Sequence, residues 1–213
     1  MTINRKIVPA GMKNNPNKPL TAVNYITIHC TGNYNATAGG LNHANYIFNG
    51  SSGGQVSWHY SIDSKEIWQH FEDNRACWHA GDGTNGPGNS TSIGLEICVN
   101  DRTNFKKACE NAAWLTAELL KKYKLSIDRV VQHNRWSGKN CPTELRSGAW
   151  GVTWEQFLDM VRACLAPKPL TREECRTIIQ SKCQFSDPAA VWVALETHRF
   201  ADDLYRKLAG VMS

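Results

Sequence analysis

Alternation of apolar and polar residues is clearest in Tyr25-Ile-Thr-Ile-His-Cys30, which predicts a strand. Ile26, Ile28 and Cys30 share one face, Tyr25, Thr27 and His29 the other, and Thr31-Gly32-Asn33 ends the run. Residues 56–62 alternate again, and residues 66–70 follow across a tight Asp63-Ser64-Lys65 turn, which predicts a hairpin. Residues 92–99 predict a further strand, with Ile93, Leu95, Ile97 and Val99 toward the core and Gly94, Glu96 and Cys98 opposite. Residues 130–132 form a short strand that leads directly into His133.

Helical spacing takes over between these runs. Residues 104–123 carry Phe105, Ala108, Cys109, Ala112, Leu115, Leu119 and Tyr123 on one stripe, with Lys121, Lys122 and Lys124 at the negative end of the helix dipole. A shorter helix over 37–49 would turn Leu41, Ala44, Ile47 and Phe48 inward, and Ser51-Ser-Gly-Gly54 breaks it. Thr153-Trp-Glu-Gln156 is a capping box that opens a helix facing Phe157, Val161 and Cys164 inward. Residues 1–20, rich in Asn, Pro and Lys, read as an extended arm or loop, and residues 77–89 as a long Gly/Asn-rich loop. Loops of that length in compact domains usually serve a site or are disordered.

Ala166-Pro-Lys-Pro169 reads as a linker, since alternate prolines stiffen the chain and stop a helix. Behind it, Thr171-Arg-Glu-Glu174 forms a second capping box followed by Cys175, Ile178 and Ile179. Asp187-Pro188 has an N-cap pattern with proline at the first helical position, and residues 202–208 suggest a third short helix. The expected division is therefore residues 1–165, a linker over 166–169, and a small helical module over 170–213.

Composition narrows the classes. The chain has 213 residues, 41% hydrophobic and 20% charged, with a net charge of +5; this is ordinary for a globular protein and long enough for a sizeable core. The mild positive balance favours an anionic partner without demanding one. Eight Trp are more unusual and suit stacking on sugar rings as well as core packing. The N-terminus has no apolar run long enough for a secretion signal, and nothing approaches the ~20 apolar residues of a membrane span. Eight scattered Cys without framework spacing imply a reducing place of synthesis and mostly free thiols.

The chemistry concentrates in His133-Asn-Arg-Trp-Ser-Gly-Lys-Asn-Cys141-Pro142. Imidazole and thiolate are the natural ligands of a borderline-soft ion such as zinc. Seven intervening residues exceed one helical turn, so the two ligands would meet through a folded-back loop. His29, at a strand end, supplies a third ligand, and three protein ligands with an open position is the catalytic pattern for zinc. Glu96 in mid-strand suits a proton relay and Lys139 an oxyanion stabiliser. The plainer readings are a surface loop with a chance His, Lys and Cys, a hydrogen-bonded strand-end His29, and a solvent-facing Glu96 on an antiparallel sheet. His59 reads as a structural residue, and Trp78 and His79 either line a cleft or plug the loop against the sheet.

With these motifs in place, the chain resembles the zinc-dependent N-acetylmuramoyl-L-alanine amidases of the phage-lysozyme and peptidoglycan-recognition type, in their endolysin-like branch. The matching segments are Tyr25-Ile-Thr-Ile-His-Cys-Thr-Gly32, Val56-Ser-Trp-His-Tyr60, Ala76-Cys-Trp-His-Ala-Gly81, Ser92-Ile-Gly-Leu-Glu96 and residues 133–142, in the family's order over roughly residues 20–165. The resemblance implies an α/β fold with a mixed central sheet flanked by helices, and zinc on His29, His133 and Cys141. It also implies Glu96 as general base, Lys139 stabilising the tetrahedral intermediate, and Trp78 and His79 beside the substrate groove. The implied substrate is bacterial peptidoglycan, with no nucleic acid partner and no membrane insertion. The implied setting is synthesis in the bacterial cytoplasm and action on the wall after release. Two departures stand out: Thr143-Glu144 replaces a basic pair common after Cys-Pro, and Trp58 precedes His59 where some members use a catalytic Tyr. The rear helices resemble accessory modules of lysins, which suggests wall binding. The rival expectations are a peptidoglycan receptor that binds without cutting, in which the zinc triad is generally incomplete, and a structural zinc domain closed by a fourth side chain.

Overall fold

The computed structural model describes residues 1–167, 170–183, 188–197 and 199–212. They form two compact units, Met1–Leu165 and Ala166–Ser213. The expected linker residues 168–169 and the expected N-cap Asp187 lie outside the described residues.

The first unit is built on a six-stranded sheet. Its strands are β1 (Ile3–Arg5), β2 (Tyr25–Cys30), β3 (Tyr60–Ile62), β4 (Ile67–Gln69), β5 (Ser92–Ile97) and β6 (Val130–Gln132), in the order β1-β4-β3-β5-β2-β6. The β3/β4 hairpin is antiparallel and the other pairings are parallel, so the sheet is mixed. The hairpin turn is held by Asp63, whose Oδ1 accepts the Lys65 and Glu66 N–H groups while Oδ2 accepts that of Gly40. Strand β3 is shorter than the alternation over 56–62 predicts. The backbone of His59 still bonds Gly94 and His70, but residues before it bend away to meet the 77–79 loop. Ile3–Arg5, expected as part of a loose arm, instead pairs with Ile67–Gln69 and covers what would be an open sheet edge.

Ile26, Ile28, Ile93, Leu95 and Ile97 are fully buried against α3 (Phe105–Tyr123), with α6 (Trp154–Leu165) packed beyond it. The buried side of α3 is wider than the predicted stripe and takes in Asn111, Ala113, Thr116, Ala117 and Leu120, because the helix is covered by the sheet and by α6 together. Tyr123 and Cys164, expected inward, are only half-buried. The Thr153/Gln156 capping box forms in both directions. Helix α1 (Gly40–Phe48) buries Gly40, His43, Ala44 and Ile47; Leu41 is exposed, so the inward stripe is rotated from the expected one. Two pieces of the expected loops are helical turns: α2 (Pro87–Thr91) and α4 (Asn134–Ser137). A further turn, α5 (Thr143–Ser147), follows Pro142.

In the second unit, α7 (Arg172–Lys182), α8 (Pro188–Glu196) and α9 (Ala201–Met212) surround Cys175, Ile179, Trp192, Ala201, Tyr205 and Ala209. The Thr171/Glu174 capping box forms, Trp192 stacks on Tyr205, and Arg172 pairs with Asp202. No described helix is long and apolar enough to cross a membrane.

Asp73 ties the hairpin side of the first unit to the end of α3. Its carboxylate accepts from Tyr60, Gln69, Lys122 and Tyr123. Burial opposes its charge, but the hydrogen bonds from Lys122 and Tyr60 outweigh it and hold the carboxyl below the ordinary aspartate value. A depressed folded-state value contributes stability above the unfolded pKa that is lost as pH falls through the folded one. Urea titrations should therefore show stability falling below about pH 4, and Asp73→Asn should lower it at neutral pH by about 1–3 kcal/mol and flatten that acid limb.

Candidate metal centre

Parallel pairing of β2 with β5 sets His29 directly opposite Glu96, so both side chains emerge side by side on one face near the strands' carboxyl ends. Parallel pairing of Ile28 with Gln132 brings the next residue, His133, to the same end, where its N–H donates to the Ile28 carbonyl at 3.3 Å. The chain then makes the single turn α4, reverses at Gly138 (φ 74°) and returns, with the Asn134 N–H donating to the Cys141 carbonyl at 3.1 Å. The Asn134 side chain also donates to the carbonyls of Gly138 and Lys139. The folded-back loop expected from the spacing is therefore a helical turn closed on itself.

His29 Nδ1 lies 2.9 Å from His133 Nδ1 and 3.9 Å from Cys141 Sγ, and the three ligand atoms all fall within 4.8 Å of one another. Among the described residues this is the one cluster of three such groups able to hold a metal ion. All three residues are buried. Burial pushes His29 well below the usual imidazole value, with His79, His133 and Lys139 adding to the effect; burial and then Lys139 also lower His133. Both rings are thus neutral, the state that ligates a metal. Burial, then Glu96, raises the Cys141 thiol to about 12; a cation at the convergence point reverses that preference and favours the thiolate.

Glu96 Oε1 stands 3.9 Å from His29 Nδ1, while Oε2 is buried and has no hydrogen-bond partner within the chain. Burial raises this carboxyl to about 8, with the Lys139 charge working in the opposite direction. The solvent-facing Glu on an antiparallel sheet does not occur: β5 pairs in parallel with both neighbours, and Glu96 is half-buried on a face where Thr27, His29 and Gly94 are buried. That face is partly open in one place, a cavity of ≈ 470 Å³ bordered by Trp78, Glu96, His133, Ser137 and Lys139. Lys139 is exposed at its rim, with the charged end free to reach a bound molecule.

Trp78 is half-buried on the cavity wall, as a groove residue would be. His79 also borders the cavity, but both ring nitrogens are engaged inside the protein: Nδ1 lies 3.0 Å from His29 Nε2, and Nε2 lies 3.4 Å from the Ser92 carbonyl. His59 is structural, accepting the Gly94 N–H at Nδ1 and facing the Arg75 carbonyl from Nε2. Glu144, one of the departures after Cys-Pro, turns inward and accepts the Tyr34 hydroxyl at 2.6 Å. The contact between His79 and His29 joins segments 50 residues apart. Its one trace in the sequence is Gly94, whose missing side chain leaves room for the His79 ring: a Cβ there would lie 2.7 Å from His79 Cγ.

A mixed α/β sheet carries two imidazoles and a thiol converging at its strands' carboxyl ends, a set able to hold a metal ion, beside a half-buried carboxyl and an open cavity. The model of the N-acetylmuramoyl-L-alanine amidase family matches residues 19–144, and the chain belongs to that family. It is 39% identical over 167 residues to the N-acetylmuramoyl-L-alanine amidase CwlH of Bacillus subtilis, covering 78% of this chain and 64% of CwlH. It is 41% identical over 157 residues to XlyA of the same organism, covering 74% and 50%. The chain thus spans about half to two thirds of the length of these relatives. Among solved structures, the catalytic domain of XlyA matches with a TM-score of 0.68 at 40% identity, over 76% of this chain and 99% of that one. PlyL matches with a TM-score of 0.67 at 33% identity, over 76% and 97%.

Because no side chain fits at position 94 without displacing the His79 ring, Gly94→Ala should destabilise the first unit by about 1–3 kcal/mol. Thermal melts of the variant and the parent chain would measure this.

Proposed function

We propose that this chain is a zinc-dependent N-acetylmuramoyl-L-alanine amidase. It cleaves the amide joining the lactyl group of N-acetylmuramic acid to the first L-alanine of the peptidoglycan stem peptide, in the manner of an endolysin. The observation that carries this reading is the convergence of His29, His133 and Cys141 beside the carboxyl of Glu96, whose Oε2 is buried without a hydrogen-bond partner in the chain, in a chain of this family.

The donor set fits zinc. Nitrogen ligands at about 2.0–2.1 Å and sulfur at about 2.3 Å from a tetrahedral ion imply donor separations of roughly 3.3–3.6 Å, and the separations of 2.9 and 3.9 Å bracket them. His29, His133 and Cys141 would hold the ion, with the remaining position toward the cavity rather than a fourth side chain. That openness argues against a purely structural site, and the complete triad argues against a receptor that binds without cutting. Bound zinc supplies Lewis acidity, polarising a carbonyl and acidifying water.

The chain's own groups supply the rest. Glu96 takes the proton of the attacking water and delivers it to the leaving nitrogen, a role suited to a carboxyl held near neutrality. Lys139 places its ammonium against the developing oxyanion. Trp78 offers an apolar wall to the substrate. His79, expected beside the groove, has its ring committed to His29 and contributes from behind the ligand. Residues 1–165 form the catalytic domain, 166–169 the linker, and 170–213 an accessory module that binds the wall.

Digestion of purified cell walls tests the reaction. New N-terminal alanine without new reducing sugar, abolished by a zinc chelator and restored by zinc, is the expected result; new sugar ends would refute it. Glu96→Gln should keep zinc yet lose roughly 10²–10⁴-fold in turnover. The pH profile of kcat/KM should rise through an acidic limb lying below about 8 and vanish in that variant. Lys139→Ala should cost roughly 10²–10³-fold in kcat.

A further inference from the structure

Behind the three ligands runs a chain of hydrogen bonds whose direction is fixed by its ends. It starts at Trp136, whose indole N–H can donate and never accept; it donates to Thr27 Oγ1 at 2.9 Å. Thr27 Oγ1 is 2.8 Å from Ser92 Oγ, and Ser92 Oγ is 2.6 Å from the Gly88 carbonyl oxygen. A carbonyl accepts only, so the single Ser92 hydroxyl proton is spent on Gly88 and Thr27 must donate to Ser92. Ser92 therefore has no proton left for the ring beside it. His79 Nε2 faces Ser92 Oγ at 3.5 Å and the Ser92 carbonyl at 3.4 Å, two acceptors, and must itself carry the proton.

The consequence passes through the imidazole. A neutral His79 protonated at Nε2 presents a bare lone pair at Nδ1, which lies 3.0 Å from His29 Nε2. His29 must then carry its proton at Nε2, leaving its Nδ1 as the lone pair directed at His133 and Cys141. Gly94 supplies the space in which the His79 ring sits.

We propose that His79 is a positioning residue: with Ser92, Thr27 and Trp136 it selects the tautomer and orientation of His29 that present Nδ1 to the metal. Metal-ligating histidines usually pass their second N–H to a carboxylate, carbonyl or water; here the acceptor is another buried imidazole, itself oriented by a hydroxyl chain. The inference rests on the zinc reading only for its effect on affinity, because the tautomers are properties of the protein itself.

Two measurements on the full chain test it. In ¹⁵N-detected imidazole spectra of zinc-free protein, His79 and His29 should both carry the proton at Nε2; a proton on Nδ1 of either would overturn the proposal. Zinc affinity, measured by competition with a chromophoric chelator, should fall roughly 10–100-fold in His79→Ala. His79→Asn, whose amide oxygen stands where Nδ1 does, should recover most of that loss. Equal affinity of parent and His79→Ala would remove the positioning role, as would an Asn variant no better than Ala when circular dichroism shows both folded. A parent chain that takes up no zinc would instead refute the metal reading, and the tautomer spectra would still decide the hydrogen-bond chain.

Discussion

The register of two parallel strands governs this centre. Pairing Tyr25 with Ser92 puts Thr27 beside Gly94 and His29 beside Glu96, so an imidazole, a carboxyl and a glycine gap are placed by one run of backbone hydrogen bonds. A slip of one residue would send every one of these side chains to the opposite face. The slip is opposed by Ile26, Ile28, Ile93, Leu95 and Ile97, all at zero exposure against α3. Burying these side chains on one face is worth about 1.5–3 kcal/mol each in area terms. The apolar face thus sets the alignment that the polar face uses.

Covering the polar face carries a cost that shapes its chemistry. Burial drives His29 and His133 to the neutral form, lifts Glu96 to about 8 and lifts Cys141 to about 12. These shifts all disfavour charge, and a dication at the convergence point would compensate them together. Lys139 is exposed at the rim of the cavity, on its solvent side.

Much of this was legible in the residues, for identifiable reasons. Strict alternation in 25–30 and 92–97 identified both strands and their core faces, and the spacing of His133 and Cys141 pointed to a loop that folds back. The parts that were not legible depend on tertiary contact. Ile3–Arg5 is a strand because β4 offers it an edge, not because of its own sequence. The inward stripe of α1 includes His43 in place of Leu41, since the imidazole bonds the Gly39 carbonyl and lies near Cys98. The residues around His79 leave open whether it lines a cleft or plugs the loop; it borders the cavity and also bonds His29, a partner 50 positions away that nothing local indicates. The burial of Glu144 has no local signal, because a buried carboxylate is uncommon and its Tyr34 partner is 110 positions distant.

The self-closed loop from His133 to Cys141 has an entropic meaning. Its reversal is held by Asn134, which bonds Cys141 through its backbone and Gly138 and Lys139 through its side chain. The approach of His133 to Cys141 is therefore held by the chain's own hydrogen bonds. Small zinc modules that fold only on metal uptake draw their folding free energy from the ligand bonds. On the reading proposed above, the ion would bind a loop whose shape the chain's own hydrogen bonds already supply.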